Sequence, residues 1–297
     1  MQAVVQTEGV SKDYDDITAV AELDLVVEHG QRVALVGHPG SGKTTLLRML
    51  VDLVHPTTGR IRVAGYDTRV APYQVRRRVG WVPNAPTLPQ NLSVAELLDR
   101  LGEFKRSGAD TAIRSSLLPS IDVAPDDPMS ELDDAEQYVV AFVAALEKQP
   151  ELLLLDEPLA AAGRFRDLVA DTLRNVEPTV TVVASARDLT LTDLFDRRVL
   201  FIERGRIIAD GSITDLRMMI RQRTELTFSS TPDEAGLRSL PGVLDLVVQG
   251  STARMLSVGP TDALIDAARP LGLVDAVVHE AGLDTLIADH TLLASNR

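Results

Sequence analysis

The chain is expected to fold as an α/β protein with a smaller α+β unit at its C-terminal end, and three stretches carry that expectation. The first is Arg32-Val33-Ala34-Leu35-Val36, apolar and β-branched after its first residue. It runs through a glycine-rich turn into Thr45-Leu46-Leu47-Arg48-Met49-Leu50, which has helical spacing and no breaker. The second is Leu152-Leu153-Leu154-Leu155, apolar at every position, as suits a parallel strand covered on both faces. In the third, from about Arg223, the rhythm changes to short strands and helices. Strands are expected at Glu225–Phe228, Val243–Gln249, Ala253–Val258 and Val274–His279, with helices at Asp233–Leu240 and Thr261–Leu271. That β-α-β-β-α-β order suggests a small antiparallel sheet with helices.

Between the first strand and its helix, residues 37–44 read Gly-His-Pro-Gly-Ser-Gly-Lys-Thr, the G-x-x-x-x-G-K-[ST] pattern in the context it requires. Gly37, Gly40 and Gly42 permit backbone angles that bulkier residues resist. Successive amides can then turn inward around phosphate oxygens at a helix N-terminus. With His38, Pro39, Ser41 and Thr45 they form a loop expected to hold the phosphates of a nucleoside triphosphate. Lys43 should reach the β and γ phosphates and Thr44 should ligate Mg²⁺. A glycine-rich turn that holds nothing would share these letters; the flanking strand and helix favour the phosphate site.

The apolar strand Leu152–Leu155 ends in Asp156-Glu157-Pro158. Buried parallel strands end at the sheet edge where α/β proteins bind ligands. Asp156 is therefore expected to hold Mg²⁺ through water, and Glu157 to polarise the attacking water as general base. A strand closing in a solvated acidic turn would look the same in isolation; the phosphate loop upstream decides for the chemical reading.

Composition narrows the setting. The 297 residues, 45% of them hydrophobic, can bury one full domain and a smaller one. A net charge of −13 argues against a nucleic-acid partner. Without cysteine there are no disulfides, thiolate metal sites or cysteine nucleophiles. No apolar stretch approaches a bilayer span, and the N-terminus lacks a signal-peptide layout. A cytoplasmic protein, reaching a membrane only through a partner, is the expectation.

Residues 1 to about 220 resemble the ATP-binding subunits of ABC transporters. Beyond the two phosphate motifs, Val10-Ser11-Lys12-Asp13-Tyr14 looks like the family's adenine-stacking loop, His55–Ile61 like its turn into the next strand, and Arg204–Gly211 like its late hairpin. The resemblance implies a P-loop NTPase core of ABC ATPase type over residues 1–222, with a helical subdomain inserted at about 92–146. It also implies ATP and Mg²⁺ as cofactors and an integral membrane transporter subunit as partner. Tyr14 would stack on adenine, although an ordinary turn tyrosine would read alike. Residues 223–297 resemble the accessory domain of drug- and lipid-exporter cassettes, which points to export.

Several family elements are altered. The LSGGQ signature falls on Leu132-Asp133-Asp134-Ala135-Glu136, without its serine or glycines. In the family this segment opens a helix toward the γ-phosphate of the opposite subunit in a head-to-tail dimer. Here Asp133 and Glu136 have the D-x-x-E spacing of a capping box, which would occupy those amides. Asp122, Asp126, Asp127, Glu131, Asp133, Asp134 and Glu136 are seven acids with no base among them. A carboxylate about 5 Å from a phosphate charge costs on the order of 3 kcal/mol at an effective dielectric near ~20.

Further on, the family's glutamine is Asn84, still an amide for Mg²⁺ or water; the aspartate after the Asp156–Pro158 strand end is Gly163; and the switch histidine is Arg187. Arginine cannot exchange a proton near neutral pH, but it can pair with a γ-phosphate or with Glu157, or stand exposed without a role. The resemblance thus implies a MgATP-binding subunit whose hydrolysis is weak or depends on a second cassette with an intact signature. The alternatives are a non-hydrolysing ATP-dependent scaffold or regulator and, less well matched to this charge, a soluble ABC protein of translation or DNA repair.

Overall fold

The computed structural model describes residues 3–102, 112–191, 194–195, 198–213, 221–259 and 261–279. Part of the expected helical region (103–111) and the end of the expected C-terminal domain (280–297) lie outside this set. The chain divides into two compact units, Met1–Asp210 and Gly211–Arg297.

The first unit holds two sheets. Strands β1 (Ala3–Tyr14), β2 (Ile17–Glu28), β4 (Thr58–Val63) and β5 (Tyr66–Asp67) form one in the order β2-β1-β4-β5, with antiparallel pairing. The other runs β10-β9-β3-β8-β7-β6, built from β3 (Arg32–Val36), β6 (Val79–Val82), β7 (Leu152–Leu155), β8 (Thr181–Ala186), β9 (Val199–Glu203) and β10 (Arg206–Gly211). Strands β6, β7, β8, β3 and β9 are parallel. Every residue of β7 and β8 is buried, which explains their unbroken apolar runs.

Helix α1 (Lys43–Leu50) follows β3 and buries Leu46, Leu47, Met49 and Leu50. Those four side chains join Val5 of β1, Leu35 of β3, Leu154 of β7 and Val183 of β8 in one apolar cluster, so the two sheets share a core across α1. Each fully buried leucine in it contributes about 1.5–3 kcal/mol. Helix α2 (Pro72–Arg76) is a short turn before β6. Arg32 secures the far side: its guanidinium donates to the carbonyls of Leu173 (2.8 Å) and Val176 (2.7 Å), at the C-terminal end of helix α7 (Arg166–Asn175). A cation there satisfies end carbonyls and opposes the negative pole of the helix.

Between β6 and β7, adjacent in the sheet, the chain leaves for the helical region: α3 (Val94–Gly102), α4 (Ala112–Ser120) and α5 (Asp134–Glu147). Arg114 of α4 ties the three together, bonding Glu147 of α5 through two nitrogens (2.6 and 2.8 Å) and Asp99 of α3 (2.7 Å). Glu147 is 1% exposed, so the fork on both oxygens keeps a buried charge paired. The carboxylates hold Arg114 firmly protonated, the Glu147 bond being the largest cause.

The second unit has one sheet in the order β12-β13-β11-β14, from β11 (Arg221–Phe228), β12 (Val243–Gln249), β13 (Thr252–Val258) and β14 (Leu273–His279). All three pairings are antiparallel. Its helices, Glu234–Arg238 and Thr261–Ala268, put Leu237, Leu264 and Ala268 onto Leu226, Phe228, Leu246 and Met255. The boundary expected at residue 222 falls inside β11. Among the described residues, no helix is long and apolar enough to cross a membrane.

Candidate functional site

The loop from Gly37 to Gly42 joins β3 to α1 at the C-terminal edge of the parallel sheet, and its neighbours hold it by backbone. Gly205, in the turn between β9 and β10, donates to the Ser41 carbonyl (2.9 Å) and accepts from the Ala21 amide of β2 (3.0 Å). Gly42 has φ +106, and a Cβ there would sit 2.2 Å from the Ala19 carbonyl oxygen. No other residue fits, on conformation or on space. The loop is thus wedged between the two sheets, and α1 starts from it with no side-chain cap and no acid in its first turn.

Lys43 turns back into the loop, donating to the carbonyls of Gly37 (2.6 Å) and His38 (2.8 Å). It is 4% exposed. Burial lowers its pKa, and the carboxylates of Glu157 and Asp156 act against that shift. Its partners are neutral carbonyls, and a phosphate oxygen makes the stronger bond. Thr44 donates to both carboxylate oxygens of Asp156 (2.8 and 3.1 Å), across 112 residues of sequence. Asp156 is fully buried and also accepts from the Ser185 hydroxyl (2.6 Å). The Ser185 oxygen in turn accepts from the Glu157 amide (3.0 Å). Strand register explains the contact, since Leu155 of β7 pairs with Ala184 of β8 and Asp156 and Ser185 are the residues that follow them.

Glu157 precedes Pro158, which begins the short helix α6 (Pro158–Ala161), and adopts left-handed backbone angles, φ 51 and ψ 50. A proline disfavours the right-handed helical region for its predecessor, and the left-handed alternative stores about 1–3 kcal/mol. Its side chain, 10% exposed, pairs with Nε of Arg187 at 2.7 Å. That bond raises the Arg187 pKa above its ordinary value. Of the three roles open to Arg187 from sequence, the structure displays the pairing with Glu157.

Lys43, Thr44, Asp156, Glu157 and Arg187 are therefore brought together. Tyr14 and Asn84 make no hydrogen bond to that cluster among the described residues. Tyr14 closes β1, 42% exposed, with Lys12 over its ring at 4.8 Å. Asn84 lies exposed in the bend after β6. The donors that meet suit Mg²⁺: Asp156 and Thr44 offer only oxygen, and Mg²⁺ is commonly held by one or two carboxylates with substrate phosphates. Among the described residues, no group of three His, Cys, Asp or Glu side chains is placed to hold a metal without such help.

The segment at Leu132–Glu136 is closed as its spacing predicts. Asp133 accepts from the amides of Ala135 and Glu136 (both 3.0 Å), and Glu136 accepts from the Asp133 amide (2.9 Å). Arg164, directly after Gly163, adds a clamp: it pairs with Asp133 and with Glu136 (2.7 Å). The Asp133 carboxyl is held below the usual carboxylate range, first by the Glu136 amide and then by Arg164. Here the charge argument from sequence needs correction. Two of the acids share an arginine, so occupied amides, more than bare repulsion, set this segment apart.

Sequence reading missed Ser185 and Arg164. Neither carries a local signal, since their partners lie 29 and 31 residues away. It also missed Tyr138 of α5, whose hydroxyl is fully buried without a hydrogen-bond partner. Burial, and next the charge of Asp156, push that phenol's pKa upward.

Comparison with known proteins gives the family and the fold. The profile of the ABC transporter family matches residues 20–160. The chain is 32% identical over 219 residues to the daunorubicin resistance ATP-binding protein DrrA3 of Streptomyces coeruleorubidus, covering 72% of this chain and 69% of that one. It is 34% identical over 217 residues to the aliphatic sulfonates import ATP-binding protein SsuB 1 of Nocardia farcinica, covering 71% and 82%. The dimeric post-hydrolysis structure of the ATP-binding cassette MJ0796 with ADP and Pi superposes with a TM-score of 0.63 at 22% identity, over 70% of this chain and 98% of that one, a likeness of fold. On its phosphate loop, its parallel sheet and these relatives, the chain belongs to the ATP-binding subunits of ABC transporters.

Proposed function

We propose that the chain binds MgATP on the Gly37–Thr45 loop and couples the nucleotide cycle to a separate membrane subunit, in export, at the inner face of the cell membrane. One observation carries this: Lys43, Thr44, Asp156 and Glu157, from two distant stretches, meet at one sheet edge beside an uncapped helix. Thr44, Asn84 and Asp156 would hold Mg²⁺, which when bound neutralises charge on the phosphates. Tyr14 would face adenine, and Glu157 would accept the proton of the attacking water. Export rests on the resemblance of the C-terminal unit to exporter accessory domains and on the resistance protein among the relatives; the relatives also include an importer by name.

The closed segment at Asp133–Glu136 favours pairing with a second cassette whose signature is intact, so that hydrolysis at Glu157 is slow or depends on that partner. A second reading, a non-hydrolysing ATP-dependent scaffold, is favoured by the Arg187–Glu157 pair. ATPase assays on the complex reconstituted with the co-purifying membrane protein and cassette separate the two. Loss of turnover in Glu157→Gln is expected. Undiminished turnover would assign catalysis to the partner and leave this chain a nucleotide-binding regulator.

A further inference from the structure

Asp156 is fully buried, so its carboxylate depends on donors from the protein. Two hydroxyls reach it. Thr44 spreads its single proton over both oxygens (2.8 and 3.1 Å), and Ser185 donates to Oδ1 (2.6 Å). Ser185 is committed in turn, since its oxygen accepts from the Glu157 amide (3.0 Å). Helix α5 packs on β6 and on α6, and the Val82 carbonyl that closes β6 accepts from the Asp156 amide (3.0 Å). Tyr138 of α5 is fully buried, and its hydroxyl has no hydrogen-bond partner among the described residues. Burial first, and the Asp156 charge second, raise its pKa, so the phenol keeps its proton and stays a donor. An unpaired hydroxyl in a core costs stability that the aromatic ring alone would not. The Tyr138 hydroxyl thus lies in the field of the carboxylate without bonding to it.

We propose that Tyr138 is a positioning residue for Asp156: its hydroxyl donates to the carboxylate when that group turns to serve the metal, and so fixes the orientation of the ligand from within the core. This rests on the proposed MgATP site and adds a supporting residue to it. In the nucleotide-free arrangement Thr44 and Ser185 already satisfy the carboxylate. Serving a cation draws the Thr44 oxygen and one Asp156 oxygen toward it and loosens the fork that Thr44 now makes on both. A ligating carboxylate is itself held by hydrogen bonds, and losing such a partner costs about 10–100-fold in metal affinity. Ser185 supplies one such bond already; Tyr138 supplies the next.

Calorimetry on the full chain tests the role without any turnover, using a β,γ-imido ATP analogue in excess Mg²⁺ or in EDTA. Tyr138→Phe is expected to weaken the analogue about tenfold in Mg²⁺ and to leave it within about twofold in EDTA. Equal weakening in both conditions, or none in either, would overturn the proposal. Without nucleotide, Tyr138→Phe should melt no lower than wild type, because no hydrogen bond is lost there. A lower melting temperature would reveal a bond that already serves the empty fold, and would count equally against the proposal. Fluorine NMR gives a second reading on the unsubstituted chain, whose four tyrosines take 3-fluorotyrosine. The resonance missing from Tyr138→Phe should shift when Mg²⁺ joins the analogue and hold still when the analogue is added in EDTA; indifference to Mg²⁺ would sink the role. Analogue binding that Lys43→Ala abolishes and Tyr138→Phe leaves untouched would keep the MgATP site and remove Tyr138 alone. No analogue binding by the wild type would remove both.

Discussion

Two helix N-termini in this chain are treated in opposite ways. Helix α1 starts at Gly42 with no side chain on its first amides and no acid in its first turn. Helix α5 starts at Asp133, which covers the amides of Ala135 and Glu136, carries Asp134 and Glu136 in its first turn, and is closed again by Arg164. The orphan amides and positive pole of a helix start attract either an internal carboxylate or an external phosphate. At α1 that capacity is left open; at α5 the protein has consumed it. The difference teaches that a helix start is left bare or closed by its own side chains: at α5, Asp133 and Glu136 occupy the kind of terminal amides that α1 leaves uncapped.

The largest expected effect comes from breaking the open side. Lys43→Ala should lower MgATP affinity by about 100-fold, or ~2.7 kcal/mol, because a buried charge-assisted contact is lost while the fold stays intact. Titration calorimetry reads it, and unchanged affinity would remove Gly37–Thr45 from the site.

On the closed side the effect is smaller and falls on stability. Asp133→Ala should cost about 1 kcal/mol at neutral pH through the lost cap. The sign with pH follows from the lowered pKa of Asp133. Its contribution is present above the ordinary carboxylate range and is lost as pH falls through the folded-state value. Thermal melts of wild type and variant should therefore converge in acid. A gap that widens there would contradict the assigned cap.

Tyr14→Ala should have the smallest effect, lowering ATP affinity roughly fivefold by removing about 1 kcal/mol of stacking, while Tyr14→Phe leaves it unchanged. Equal binding in all three proteins would make Tyr14 an ordinary hairpin residue.

The sequence by itself determined what short spacing encodes. The phosphate loop between strand and helix, the acidic end of β7, the capping box of α5 and the succession of strands and helices along the C-terminal unit all depend on patterns a few residues apart. Tertiary structure alone decided which distant groups meet. Thr44 reaches Asp156 over 112 residues, Ser185 reaches it over 29, and Arg164 clamps Asp133 over 31. Arg187 had three roles open to it, and only the parallel register of β7 and β8 set it beside Glu157. A glycine pattern predicts a turn because one residue's backbone angles are a local property. That Gly42 must be glycine because Ala19 stands 2.2 Å from any Cβ is a fact of two sheets meeting. Local preference is written in neighbouring residues, whereas a charge pair across strands exists only once the sheet has brought their ends to one edge.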